Sequence, residues 1–236
     1  MPGQRTPESM RIEISESIRI DEAIRSDEAA LAIGAPRFWV GRCEEPGVTL
    51  GVTQDPAVPP AENARHEGLP VYRRSSGGSA LVHERGDLFW SVVLPRESRW
   101  VGRDYTRAYA RLGAGWASAL SSEGRRAAWV ASSPTFPLHC FLSGRGSVLV
   151  CEDRALGGAS QHLNARALLH HGTVTVVHNP GRVRSIFGMP ALVQGQHLTS
   201  LEALGLEPMT RDLDALAHRL AEPFASRPPS GPIKSI

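Results

Sequence analysis

Arg73 and Arg74 lead directly into Ser75-Ser76-Gly77-Gly78-Ser79, an order of residue types suited to holding an anion. Short or missing side chains let backbone N–H groups approach anionic oxygens closely, and guanidinium groups add paired hydrogen bonds to phosphate or carboxylate. The same composition also describes a flexible, exposed loop. Two apolar runs follow, at residues 80–82 and 88–94, on either side of a polar turn at 84–87. That pattern predicts a β-hairpin immediately after the loop.

Taken in order, Arg-Arg-x-Ser-Gly-Gly-x-Ala over residues 73–80, followed by His83 and Gly86-x-Leu88, resembles the signature of the biotin/lipoate protein ligase family, in its lipoate-protein ligase A and octanoyltransferase branch. In that family the loop wraps the acyl chain together with the phosphate or carrier arm. The resemblance therefore implies substrate contacts from Arg73, Arg74, Ser76, Gly77, Gly78, Ser79 and His83. Ser79 stands where the family has a third glycine, and its Cβ is expected to narrow the phosphate side of the site. A second stretch, Glu152-Asp153-Arg154-Ala155-Leu156-Gly157-Gly158-Ala159 with His170-His171-Gly172 beyond it, resembles the family's Lys-x-x-Gly-x-Ala signature and its His-Gly step into a strand. This implies further contacts from Gly157, Gly158, Ala159, His171 and Gly172. Aligned on Gly157 and Ala159, Arg154 occupies the place of the family's central lysine. No other register supplies one, because Lys234 is the one lysine among the 26 basic residues of the chain. The resemblance assigns Arg154 the catalytic task of holding negative charge on the acyl oxygen, although its planar fork is larger than an ammonium and differently aimed.

Cys140-Phe141, ahead of a strand-like run at 148–151, resembles the Cys-Phe pair of the cysteine-dependent octanoyltransferases. The implied nucleophile is the Cys140 thiolate, which takes an acyl group from a carrier thioester and yields it to a lysine ε-amine, so that one difficult transfer becomes two easier ones. His139, His83 and Arg154 are candidate sources of the positive potential that activates a thiol. A buried structural cysteine is the alternative. The expected function is octanoyl or lipoyl transfer to a lysine of a lipoyl-domain or glycine-cleavage carrier protein, with acyl carrier protein as a possible donor and no cofactor. Two alternatives stay open. One is an ATP-dependent lipoate-protein ligase, in which the Gly77-Gly78 loop and the arginines hold an acyl-adenylate with Mg²⁺; the other is a family member that binds a lipoyl or acyl ligand without turnover.

To hold these groups, the resemblance implies an α+β fold, a mixed, mainly antiparallel sheet flanked by helices. A chain of 236 residues with 41% apolar content is expected to form one domain, residues 1–236, with a core at about 14–225 and flexible tails at 1–13 and 226–236. Helical periodicity covers residues 20–33, ending at Gly34, and includes Asp27-Glu28-Ala29, similar to a segment of the family's first helix. Strands are expected at 36–40, 47–52, 129–131, 148–151 and 173–177. A connector with one helical turn spans 56–68. A helix over 104–122 is weakened by Gly113 and Gly115, and a last helix, capped by Thr210, buries Leu213, Leu216, Leu220 and Phe224. The net charge of +2 gives no reason to expect a nucleic-acid partner. Three irregularly spaced cysteines indicate neither a disulfide framework nor a metal site, and no apolar span or signal segment is evident. A reduced, cytoplasmic protein is expected, with no membrane partner.

Overall fold

The run Leu88–Pro95 is buried at every position, which marks a strand covered on both faces. A computed structural model describes residues 10–57, 59–101 and 105–225. In chain order the elements are β1 (Arg11–Ile18), α1 (Ile20–Ile33), β2 (Arg37–Cys43), β3 (Gly47–Leu50), α2 (Pro59–His66), β4 (Val71–Arg73), β5 (Leu81–His83), β6 (Leu88–Pro95), α3 (Tyr105–Leu112), α4 (Ala114–Ser122), β7 (Ala127–Ala131), β8 (Ser147–Cys151), β9 (Arg154–Leu163), β10 (Ala167–Val174), α5 (Pro180–Phe187), α6 (Ala191–His197) and α7 (Leu213–Ala225).

The strands form a seven-stranded sheet in the order β1-β2-β6-β10-β9-β8-β7 and a three-stranded sheet in the order β4-β3-β5. In the large sheet β1 runs parallel to β2 and every other neighbouring pair is antiparallel. Alternation along the central strands divides the core. Val92, Leu94 and Leu168 face the helices α4 and α7, whereas Val93 and Leu169 face Ala30 and Leu31 of α1. The α+β class and the mainly antiparallel sheet agree with expectation.

Several local expectations do not hold. The runs on either side of the turn at 84–87 do not pair with each other: β5 pairs with β3, while β6 pairs with β2 and β10. The turn is a crossing from the small sheet to the large one. Residues 11–13, expected in a loose leader, form the start of β1, where Arg37 Nε lies 3.0 Å from Glu13 Oε2. The expected tails at 1–9 and 226–236 lie outside the described residues. The connector's helical turn is a helix of 8 residues. The strand expected at 173–177 begins at Ala167, so His170, His171 and Gly172 lie within it. Thr210 does not cap α7; its hydroxyl donates to Glu207 O, and Asp212 Oδ1 accepts from Ala215 N at 2.9 Å instead.

The helix expected over 104–122 breaks at Gly113 into α3 and α4. A Cβ on Gly113 would lie 2.3 Å from the Trp129 ring, and one on Gly115 would lie 2.1 Å from Leu220 O of α7. These glycines weaken the helix but allow α4 to approach its neighbours closely. Gly115→Ala is expected to force α4 and α7 apart and cost about 1–3 kcal/mol, the range for overpacking a close-packed contact, read as a lower urea midpoint with unchanged m.

Candidate active site

Between the large sheet, the small sheet and α1 lies a pocket of about 570 Å³, counting the solvent at its mouth. Ile20, Ala23, Ile24 and Asp27 reach it from successive turns of α1, and Trp39, Leu81, Phe89, Trp90 and Phe141 complete a mostly apolar wall. This is the usual character of a small-molecule site, with a few polar groups among apolar ones.

The first of those polar groups is Arg74, only 8% exposed. Its Nη1 donates to Thr49 O and Thr49 Oγ1, and its Nη2 donates to Gly77 O at 2.8 Å and Ser79 O at 2.9 Å. Nη2 also stands 3.8 Å from Cys140 Sγ. Among the described residues no carboxylate pairs with this guanidinium. A buried cation held only by neutral oxygens is poised for negative charge from elsewhere. Cys140 opens a short 3₁₀ turn (Cys140–Leu142), and its N–H donates to Ala80 O, which fixes it against the end of the glycine loop.

The second group is a chain of short hydrogen bonds. Asp27 Oδ2 lies 2.6 Å from His171 Nδ1, His171 Nε2 lies 2.6 Å from Ser76 Oγ, and Ser76 Oγ lies 2.7 Å from Ser160 Oγ. The carboxylate accepts from Nδ1–H, which leaves Nε2 to accept from the Ser76 hydroxyl. Asp27, His171 and Ser160 line the pocket, and Ser76 lies behind them, 1% exposed.

Of the residues named from the sequence, Arg74, His83, Cys140, Gly158, Ala159, His171 and Gly172 meet at this pocket. Ser76 joins through its hydrogen bonds, and Gly78 abuts it, since a Cβ there would lie 3.3 Å from Cys140 Sγ. Gly158 leaves room for the Phe141 ring and Gly172 for Trp90, with ideal Cβ positions only 2.7 and 2.9 Å from those rings. Gly157 serves strand packing against Thr173 O. Arg73 is exposed and donates to Gln54 O, and Gly77 has open space beside it. Ser79 is not part of the pocket lining; its hydroxyl donates to Pro137 O and ties the glycine loop to the segment before Cys140. Arg154 lies opposite Cys151 at the β8–β9 hairpin, after Glu152 and Asp153 at positive φ, and is not part of the pocket lining.

The expected sources of positive potential also change. Burial, with the charge of Arg74 adding to it, lowers His83 to about 3, and burial, with His178, lowers His139 to about 3. Both rings are neutral near pH 7, and Arg74 is the cation beside the thiol. His170 is likewise lowered to about 3 by burial, among Trp90, Tyr109 and Trp129. In the unfolded chain these rings take up protons from about pH 6.5 downward, whereas in the fold they do so only near 3. The unfolded state binds more protons in that window, so stability should fall as pH drops from 6.5 toward 3, and the urea midpoint followed against pH checks it.

The sequence reading assigns no site role to Asp27, Ser160 or Thr49, although Asp27 belongs to the helix segment that resembles the family. A signal for Asp27 was available, because it is a carboxylate within the stripe Ile20, Ala23, Ile24, Leu31. No lysine occurs among the described residues, and in them no group of three or more His, Cys, Asp or Glu is placed to hold a metal ion.

The model of the lipoyl protein ligase A/B catalytic domain matches residues 15–224. The chain belongs to this family. A protein of Aeropyrum pernix described as "Putative lipoate-protein ligase A" is 32% identical over 160 residues, which are 65% of this chain and 50% of that protein. The chain thus spans about half the length of this curated relative. Its fold is similar to a crystal structure of lipoate-protein ligase A bound with ATP (TM-score 0.69, 16% identity, 92% of this chain and 85% of that one). It is also similar to a Thermoplasma acidophilum protein solved with lipoic acid (TM-score 0.66, 16% identity, 91% and 84%). In this lipoyl protein ligase A/B domain, no helix among the described residues is long and apolar enough to cross a membrane.

Proposed function

We propose that this domain transfers an octanoyl or lipoyl group to a lysine of a lipoyl-domain or glycine-cleavage carrier protein through a thioester on Cys140. The observation that carries the reading is the thiol in the wall of an apolar pocket, 3.8 Å from a buried guanidinium that has no carboxylate partner among the described residues. The Cys140 sulfur attacks the carbonyl of an acyl carrier thioester, the bond to the carrier sulfur breaks, and the carrier leaves as a thiol. The acceptor amine then attacks the acyl-Cys140 carbonyl and the enzyme sulfur departs, leaving an amide. Arg74 stands where it can balance charge on sulfur and acyl oxygen in both steps, and the apolar wall, Ile20, Ile24, Trp39 and Phe89 among it, suits the hydrocarbon chain.

A second reading is ATP-dependent lipoate ligation with Mg²⁺, favoured by the similar fold solved with ATP. There the open side of Gly77 and the exposed Arg73 would hold phosphate. Intact mass measurement separates the two. Mixing with octanoyl acyl carrier protein should yield a hydroxylamine-labile adduct on Cys140 that is absent in Cys140→Ser. Pyrophosphate release with lipoate and ATP, undiminished in Cys140→Ser, would establish the ligase instead. Ligand binding with neither activity would leave a non-catalytic binder.

A further inference from the structure

The acceptor lysine arrives as an ammonium, and only about one amine in 10³ or fewer is neutral near pH 7. A base must therefore take one proton as the amide forms, and the described fold offers no lysine for that task. We propose that Ser160, Ser76, His171 and Asp27 form a proton relay that deprotonates the incoming ammonium, with Ser160 at the pocket end and the His171–Asp27 pair as the proton's destination. The inference rests on the transferase reading above.

Each link has hydrogen-bonding distance, 2.7 Å from Ser160 Oγ to Ser76 Oγ, 2.6 Å on to His171 Nε2, and 2.6 Å from Nδ1 to Asp27 Oδ2. The ammonium gives its proton to Ser160 Oγ, the Ser160 proton passes to Ser76 Oγ, and the Ser76 proton passes to His171 Nε2. The amine's lone pair is released for attack, and the new imidazolium is paired with the Asp27 carboxylate. As the C–S bond breaks, the attacking nitrogen loses its second proton to the departing Cys140 sulfur, which leaves as a thiol. The imidazolium then releases the first proton to solvent at the pocket mouth, so both protons lost by the ammonium are placed and the cycle closes. Asp27 is 5% exposed, and its Oδ1 has no hydrogen-bond partner among the described residues, which leaves it free to strengthen the pairing when the ring charges.

The titratable groups around this ring are Asp27 on α1, Arg74 in the glycine loop, His83 on β5, Cys140, and His170 beside it on β10. His83 and His170, lowered to about 3 by burial, are too weak as bases to keep a proton. A serine-nucleophile reading of Asp27–His171–Ser76 does not fit. Ser76 is 1% exposed and its hydroxyl is bonded to both His171 and Ser160.

The test follows two rates in the full chain by quenched intact mass, acylation of Cys140 by octanoyl acyl carrier protein and discharge of octanoyl-Cys140 to a lipoyl domain. His171→Gln is expected to acylate within about threefold of wild type but to discharge about 10²–10⁴-fold more slowly at pH 7, the usual size of a general-base contribution. Ser160→Ala and Ser76→Ala should show the same split with smaller losses. Raising the pH toward 10 should close most of the gap, because the amine then arrives neutral. Acylation and discharge falling together, or a discharge deficit unchanged by pH, would overturn the relay in favour of a structural role. Full-rate discharge in all three variants would overturn it as well. A wild type that never forms octanoyl-Cys140 would instead defeat the transferase reading, and the relay with it.

Discussion

Arg74→Gln should reduce acyl transfer by about 10²–10³-fold, as loss of a charge-stabilising donor at a reacting centre does, while Arg154→Gln should change it by less than about threefold. The first substitution leaves a planar amide, shorter than the guanidinium, and removes the positive charge 3.8 Å from Cys140 Sγ. The second alters a residue at the β8–β9 hairpin outside the pocket lining. The comparison is sharp because alignment on Gly157 and Ala159 points to Arg154 and the geometry points to Arg74. Steady-state transfer of octanoate to a lipoyl domain, with all proteins under one set of conditions, decides between them. A large loss in Arg154→Gln with a small one in Arg74→Gln would restore the assignment to Arg154 and mean that the hairpin closes on the pocket during turnover.

Gly78→Val should also remove most of the activity, by about 10²-fold or more, the scale of loss when reacting groups are displaced by about an ångström. Gly78 has φ +97, a region costly for any side chain and worst for a β-branched one. A Cβ there would lie 2.8 Å from Arg74 Nη2 and 3.3 Å from Cys140 Sγ, so the substitution pushes apart the two groups that the proposed transfer requires together. Gly77, its neighbour in the same loop, has nothing within 4 Å of an added Cβ, and Gly77→Ala should remain close to wild type. Equal losses at both positions, with unchanged urea midpoints, would mean that the loop acts by flexibility and not by the placement of these atoms.

Much of this architecture was legible in the chain. The helix Ile20–Ile33 with its Gly34 terminus follows from periodicity and from the left-handed conformation that glycine adopts, here φ 77. The glycine loop, Cys140 and His171 were found because their residue types stand in a recognisable order. What escaped depends on partners distant in sequence. Two apolar runs separated by a short polar turn look like a hairpin, and nothing local reveals that β5 takes β3 as its neighbour while β6 takes β2 and β10. His139 precedes Cys140 in sequence, yet its ring packs against Phe141 and Phe187, where desolvation keeps it neutral. Asp27 is separated by 144 positions from the histidine it orients, so only the fold makes the pair visible.

The absence of lysine from the described residues bears on the lifetime of an acylated enzyme. A thioester beside a primary amine in the same molecule is prone to sulfur-to-nitrogen migration, which would trap the acyl group as a permanent amide on the protein that carries it. Around Cys140 the cations are guanidinium groups, which stay protonated and do not act as acyl acceptors. On the transferase reading, the described residues thus offer no amine side chain of their own to intercept the thioester, and the acyl group stays on sulfur until an acceptor lysine enters the pocket.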